Sequence, residues 1–332
     1  MSVLISANPR VQCKKCGRPA TVRIRYAKLN LCSEHFTEYI EERVAKTIER
    51  YKMHSDLKKL LIGVSGGKDS MSLLYILSKL KSRYNIEIVC LHIDLGLNNY
   101  SEESKSIIIE ASRELGIPCL IISLKDLIGY TLPELVEKSK RPPCSLCGML
   151  KRYVLNLVGL EIGADAIALG HHLDDILSFA LKDFLLQDLV DFSKMTPITP
   201  GIPGVAAKRI KPLYEVYEND LELYAKLKNI RVVGANCPFK YRDPITTSAR
   251  KMLDELEEYA PGFKISLSRK LARNASRYVQ GESIILCKYC GMPSSNGICG
   301  FCKLTMKVMG EPKGREVREK IRKLVDSSSF NN

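Results

Sequence analysis

The sequence predicts an α/β fold, a parallel sheet with helices on both faces, flanked by a small cysteine-knuckle module at each end. Three observations predict it. Apolar strand-like runs alternate with helix-period runs through the middle of the chain, the pattern of a parallel sheet. A glycine-rich turn joins the first of these strands to the first helix. Close cysteine pairs crowd both termini.

Taken in order, Cys13-x2-Cys16 and Cys32-x2-His35 bracket an alternating segment, residues 21–31. Four soft ligands in two close pairs fit tetrahedral zinc on a hairpin. A charged helix over 37–51 follows. Strands are expected over 59–64, 86–93, 119–124, 166–170 and 231–235. Helices are expected over 70–81, 101–115, 148–161, 173–188 and 219–228. Residues 196–204, rich in Pro and Gly, read as a rigid, non-helical crossing. From about 244 the pattern turns helical and charged. Cys287-x2-Cys290-x8-Cys299-x2-Cys302 then reads as a zinc ribbon, followed by a basic tail from Lys303 to Lys323. The expected divisions are a finger (1–38), a linker helix (39–55), the sheet domain (56–250) and a helical, ribbon-bearing segment (251–332).

Composition narrows the function classes. The 332 residues carry a net charge of +14, which points to a polyanionic partner. No apolar stretch reaches the ~20 residues that span a bilayer, and the first six residues are short for a secretory h-region. A cytoplasmic chain, with no membrane role, is the expectation. The absence of Trp argues against a stacking-based single-strand reader. Twelve cysteines in such a chain suggest metal rather than disulfides. Cys90 and Cys119 alone fall outside the clusters, in apolar runs, and read as small core residues.

The run Leu60-Leu61-Ile62-Gly63-Val64-Ser65-Gly66-Gly67-Lys68-Asp69-Ser70 is a phosphate cradle. Backbone N–H groups of the curled loop, the helix N-terminus and Lys68 all favour an anion. It is not a Walker A loop, whose glycine spacing differs and whose lysine precedes Ser or Thr. Ser65 to Ser70 instead resembles the loop of ATP pyrophosphatases, which release AMP and pyrophosphate. A third cysteine group differs from the terminal ones. Cys144-x2-Cys147 opens a helix, and Cys237 follows the expected strand 231–235. Three thiolates leave one coordination position open, on a catalytic metal or on an iron–sulfur cluster. A persulfide or disulfide relay is not separated from these by the residues, and a third zinc site completed by His or Asp stays as the plain structural alternative. Lys151 lies one turn past Cys147 and faces the same cleft. Gly170-His171-His172-Leu173-Asp174-Asp175 places two carboxylates at a strand end, for Mg²⁺ or nucleotide, or as caps of the following helix.

In this order these motifs resemble, over nearly the whole chain, the tRNA 2-thiolation enzymes of the TtcA/TtuA superfamily. Zinc modules at both ends favour the TtuA branch. The wobble-uridine (position 34) thiolases, which also carry such modules, stay as the alternative, as does an adenylating enzyme with a persulfide relay. The resemblance implies a PP-loop, adenine nucleotide alpha hydrolase-like, Rossmann-like domain. It implies ATP-dependent adenylation of a uridine C2 oxygen, 5-methyluridine at position 54 in this branch, and its replacement by sulfur. Ser65, Gly66, Gly67, Lys68, Asp69 and Ser70 would bind the ATP phosphates. Gly63, His92, Gly170 and Asp175 would complete the nucleotide site, with Mg²⁺. Cys144, Cys147 and Cys237 would ligate a 4Fe–4S cluster, with Lys151 between cluster and nucleotide. The implied partners are tRNA, a ubiquitin-like thiocarboxylated sulfur carrier and a second copy in a homodimer. His172 stands where Asn is expected in bacterial relatives.

Overall fold

Alternating burial shapes the N-terminal module. A computed structural model describes the backbone of residues 3–5, and residues 10–241, 243–277 and 285–328. The reading of the first six residues, and the outer ends of the terminal spans, therefore lie largely outside the described residues. Strands β1 (Val3–Ile5), β2 (Val22–Ile24) and β3 (Leu29–Leu31) form an antiparallel sheet. Val22 and Ile24 turn inward while Arg23 faces solvent. Helix α1 (Ser33–Arg50) buries Phe36, Ile40, Val44 and Ile48, spaced four apart along one face.

The central domain runs β4 (Lys59–Gly63), α2 (Lys68–Tyr84), β5 (Glu87–Asp94), α3 (Asn99–Leu115), β6 (Cys119–Ser123), α4 (Leu124–Ile128), α5 (Leu132–Ser139), α6 (Pro143–Glu161), β7 (Ala166–Ala168), α7 (Leu173–Leu185), α8 (Leu189–Ser193), β8 (Ile198–Thr199), β9 (Lys208–Ile210) and α9 (Glu218–Leu227). The strand order is β6-β5-β4-β7-β9-β8, parallel except for β8. Strand β4 is buried on both faces, as a central parallel strand requires. Strands β5 and β7 flank it on opposite sides, so the chain reverses its winding there. Such a switch point leaves a crevice at the carboxyl ends of the strands.

One expectation fails here, and one strand went unpredicted. Residues 231–235 form no strand. Their apolar Val232 and Val233 pack on the core, but the segment runs as a strap across the β4–α2 loop, where the Val233 N–H donates to the Gly66 carbonyl at 2.9 Å. The strand that pairs with β7 is instead β9, three residues with two basic side chains that carry no strand signature. The Pro/Gly-rich crossing supplies its antiparallel edge, β8. Cys90 and Cys119 are register partners on β5 and β6.

Beyond the sheet, α10 (Pro244–Tyr259) and α11 (Phe263–Asn274) pack on α7. The ribbon's β10 (Ile285–Leu286), β11 (Pro293–Ser294), α12 (Gly300–Met309) and α13 (Gly314–Ser327) pack against α5, α6 and α4. Tyr153 of α6 stacks on Phe301 of α12 with centroids 4.0 Å apart and planes 4° from parallel. Much of the tail's charge is spent on the fold. Arg318 and Arg322 pair with Glu161 at 2.8 and 2.9 Å, and Lys320 with Glu316 at 3.0 Å. Among the described residues no helix is long and apolar enough to cross a membrane.

Candidate active site

The loop after β4 owes its shape to one glycine. Gly66 has φ of 80°, in the left-handed region, and a Cβ there would lie 3.2 Å from the Ser104 backbone. Gly67 is extended (φ −78°) and serves as the N-cap of α2, so the turn does not need it to be glycine. The Ser65 N–H donates to Ser70 Oγ, which donates to the Gly67 carbonyl, each at 3.1 Å. This closes the cradle over the first turn of α2. Lys68 Nζ lies 3.1 Å from Asp69 and 2.6 Å from Glu218. Burial opposes its charge, but Asp69 and Glu218 outweigh it and hold the ammonium above its ordinary value.

A cavity of about 370 Å³ opens beside this loop at the strand ends, lined by Gly63, Ser65, Gly67, Asp69, Ser70, His92, Lys151 and Gly170 among others. Gly170 lets the β7 end approach α2, since a Cβ there would sit 3.3 Å from the Ser70 backbone. His92 is buried, with Nδ1 donating to the Val64 carbonyl at 3.1 Å. Burial pushes its pKa down, and its Nε2, a free acceptor in the neutral ring, has no partner among the described residues.

The two carboxylates of the His-His-Leu-Asp-Asp segment part company. Neither caps α7. The cap is His172, whose Nδ1 accepts from the Asp175 N–H at 3.3 Å. With Nδ1 accepting, Nε2 carries the proton and faces Asp175 at 3.4 Å and Asp69 at 4.0 Å. Burial, with Asp69 adding its charge, raises the Asp175 carboxyl above its ordinary value. Two such carboxylates beside a phosphate loop suit a divalent cation.

Asp174 is structural. It is buried, accepts from Lys264 Nζ at 2.5 Å and from the Glu218 N–H at 2.7 Å. Burial favours its neutral form, but Lys264 more than offsets this and holds the carboxyl below its ordinary value. Lys264 itself is 2% exposed. Lys264→Met is expected to cost about 3–5 kcal/mol, because it strands a buried charge. Asp174's contribution is complete above the ordinary carboxylate pKa of about 3.9 and is lost as pH falls through its lower folded value. The deficit of Lys264→Met, read by urea denaturation, should therefore be full at neutral pH and shrink as pH falls below about 4. A deficit independent of pH would contradict the ion pair.

Helix α6 begins at Pro143, so Cys144 lies in its first turn and Cys147 at the start of its second, near the positive end of the helix dipole. Cys144 Sγ donates to the Phe239 carbonyl at 3.2 Å, which ties it to the loop that carries Cys237. Burial pushes the Cys147 thiol up, the neighbouring Lys151 opposes this, and Cys237 and Cys144 add to it. The three sulfurs thus form one group. They do not all lie within 4.8 Å of one another, as the donor atoms of Cys13, Cys16, Cys32 and His35 and of Cys287, Cys290, Cys299 and Cys302 do. The terminal sets fit tetrahedral zinc, with Cys16–Cys32 at 3.9 Å and Cys290–Cys299 at 3.6 Å. The looser trio suits a larger, polynuclear group better than a single ion. None of its cysteines lines the nucleotide cavity, but Gly148 and Lys151 of the same helix do.

Residues 36–236 match the PP-loop domain family, and residues 12–37 the N-terminal LIM domain of the 2-thiouridine synthetase TtuA. The chain is 42% identical over 296 residues to the tRNA-5-methyluridine(54) 2-sulfurtransferase of Pyrococcus horikoshii, covering 88% of this chain and 93% of that one. It belongs to the PP-loop tRNA 2-thiolation enzymes. The Thermus thermophilus tRNA-5-methyluridine(54) 2-sulfurtransferase is 34% identical over 308 residues, 92% and 94% of the two chains. The solved U34-tRNA thiolase NcsA from Methanococcus maripaludis, with its 4Fe-4S cluster, matches with a TM-score of 0.74 at 28% identity over 91% and 96% of the two chains. The family read from motif order is therefore borne out. In this PP-loop thiolation enzyme, motif reading missed Glu218 and Arg250. Arg250 pairs with Glu218 and lies 4.0 Å from Asp175. Both come from beyond residue 217, with no local motif to mark them.

Proposed function

We propose that this chain thiolates tRNA at C2 of 5-methyluridine 54, in two steps at adjoining sites. The uracil O2 attacks the α-phosphorus of ATP and pyrophosphate leaves. A sulfur nucleophile then attacks C2, and AMP departs with the original oxygen. The observation that carries this reading is helix α6. Its first two turns bear Cys144 and Cys147, and its third bears Lys151, which lines the nucleotide cavity. One rigid element thus spans both chemistries.

The loop N–H groups, Lys68 and the dipole of α2 take the triphosphate and stabilise charge on the departing pyrophosphate. Asp69 and Asp175 hold Mg²⁺ there. The unpartnered His92 Nε2 accepts from the adenosine. Lys151 keeps a positive charge between the phosphates and Cys147. Cys144, Cys147 and Cys237 would hold a 4Fe–4S cluster, which would supply iron as a point to bind sulfur. The sulfur comes from a thiocarboxylated ubiquitin-like carrier, and the working unit is a homodimer. Strap 231–235 binds loop and cysteine site together, since it meets Gly66 at one end and leads to Cys237 at the other.

Two facts favour position 54 over position 34. Identity is 42% to the Pyrococcus position-54 enzyme but 31% to the tRNA 2-thiolation protein NcsA of Haloferax volcanii. The N-terminal module also matches the TtuA form. Nucleosides of tRNA from a deletion strain, analysed by mass spectrometry, should lose 2-thio-ribothymidine and keep wobble 2-thiouridine. The reverse pattern would give the wobble reading.

A further inference from the structure

Positive charge without acid partners gathers between α6 and β9. Arg152 follows Lys151 on α6, and Arg209 lies on β9. Both line a second cavity of about 220 Å³, walled otherwise by Asn156, Met292 and the start of α12. Arg152 also lines the nucleotide cavity, so the two spaces share this residue. Its guanidinium lies back over Gly148, where a Cβ would meet Nη1 at 3.2 Å. Among the described residues neither arginine has a carboxylate partner. Nor does Lys211, next on the same strand edge, whose Nζ donates only to the Lys194 and Thr196 carbonyls at 3.0 and 2.6 Å. Burial, and then Arg152, push the Arg209 guanidinium below its ordinary value. Half-buried Arg250 and Arg269, by contrast, are paired with Glu218 and Glu215. Two like charges crowded into a cleft without acids leave a place for an anion with several acceptor oxygens.

We propose that Arg152 and Arg209 clamp one backbone phosphate of the tRNA next to the nucleotide that is thiolated. The proposal rests on the tRNA reading above. A phosphate held here lies beside the nucleotide cavity, which shares Arg152, and fixes the backbone while the base reaches the nucleotide. Phosphate contacts position rather than specify, which suits a site that must present one base to fixed chemistry.

The test is the salt dependence of tRNA binding, measured with an unmodified tRNA transcript and the full chain. Each phosphate neutralised contributes roughly one unit to the slope of log K against log salt. Arg209→Gln should weaken binding roughly tenfold at low salt, with ATP affinity unchanged because Arg209 does not line the nucleotide cavity. The double variant Arg152→Gln/Arg209→Gln should lose about one unit of slope. A loss of two would mean separate contacts and overturn the single clamp. Arg209→Lys, which keeps charge and volume, should retain the slope and still lose affinity, because the fork geometry is gone. An unchanged slope in the double variant overturns the clamp. So does a loss of affinity for ATP or pyrophosphate, or for a sulfur-carrier protein, with tRNA binding intact. If the wild-type chain binds no tRNA, the tRNA reading itself fails and the clamp fails with it.

Discussion

Cys237→Ser should lower tRNA thiolation at least about a thousandfold, in the range seen when a member of a concerted catalytic group is removed, while ATP binds as before. The expectation follows from where the three cysteines sit. None of them lines the nucleotide cavity, so a serine at 237 has no route to the phosphates. The strap that leads to it hangs on backbone hydrogen bonds, from Val233 to Gly66 and from Gly234 to Glu103, which the substitution leaves alone. Cys144→Ser should behave likewise. Lys151→Met should not. Lys151 touches both sites, so both ATP affinity and thiolation should fall. Titration calorimetry with ATP and nucleoside mass spectrometry of the product separate the two patterns. Wild-type thiolation by Cys237→Ser would sink the three-cysteine reading. Thiolation by anaerobically prepared, iron-free protein would replace the cluster with a persulfide relay.

The parts legible in the sequence are those whose residues are contiguous. The phosphate loop declares itself in six successive residues, and Cys144, Cys147 and Lys151 share one face of one helix. The metal modules show because each ligand pair is two residues apart. What escaped the sequence is what the fold brings from afar. Glu218 reaches Lys68 across 150 positions. Asp174 and Asp175 are neighbours in sequence, yet one neutralises buried Lys264 and the other faces the loop. No local pattern separates them, because the difference lies in α10 and α11, which pack on α7. Strand β9 escaped because its side chains are mostly basic. One of those charges, Arg209, then lines the second cavity, so part of the residue pattern that hid the strand belongs to that cavity.

Gly314→Ala should release the C-terminal metal and, through it, cripple the active site. Gly314 opens α13 directly over the ribbon. A Cβ there would lie 2.6 Å from Cys290 Cβ, 2.7 Å from Cys302 Sγ and 2.9 Å from Tyr153 Oη. Cys290 and Cys302 are held by the metal and Tyr153 by its stack on Phe301, so none of the three has a rotamer to give. Either α13 lifts or the ligands part. Ordinary overpacking costs about 1–3 kcal/mol, and here the loss of a closed zinc site adds to it, since such sites contribute folding energy directly. The damage does not stop at the ribbon. Tyr153 lies on α6, six residues from Cys147, and its hydroxyl donates to the Gly314 carbonyl at 3.2 Å. Glu161 at the other end of α6 is held by Arg318 and Arg322 of α13. When α13 lifts, α6 loses its brace at both points, and α6 positions Cys144, Cys147 and Lys151. The expected result is a drop from two zinc ions per chain to one by elemental analysis, a lower melting temperature, and thiolation reduced at least about tenfold, the cost of an ångström-scale misplacement at a reacting site. Gly300→Ala is the matched control. It also opens a helix of the ribbon, but its Cβ would meet only the flexible Met149 side chain at 3.3 Å, so it should keep both metals and most of the activity. If Gly314→Ala keeps two zinc ions and full activity, the ribbon is not the brace of α6.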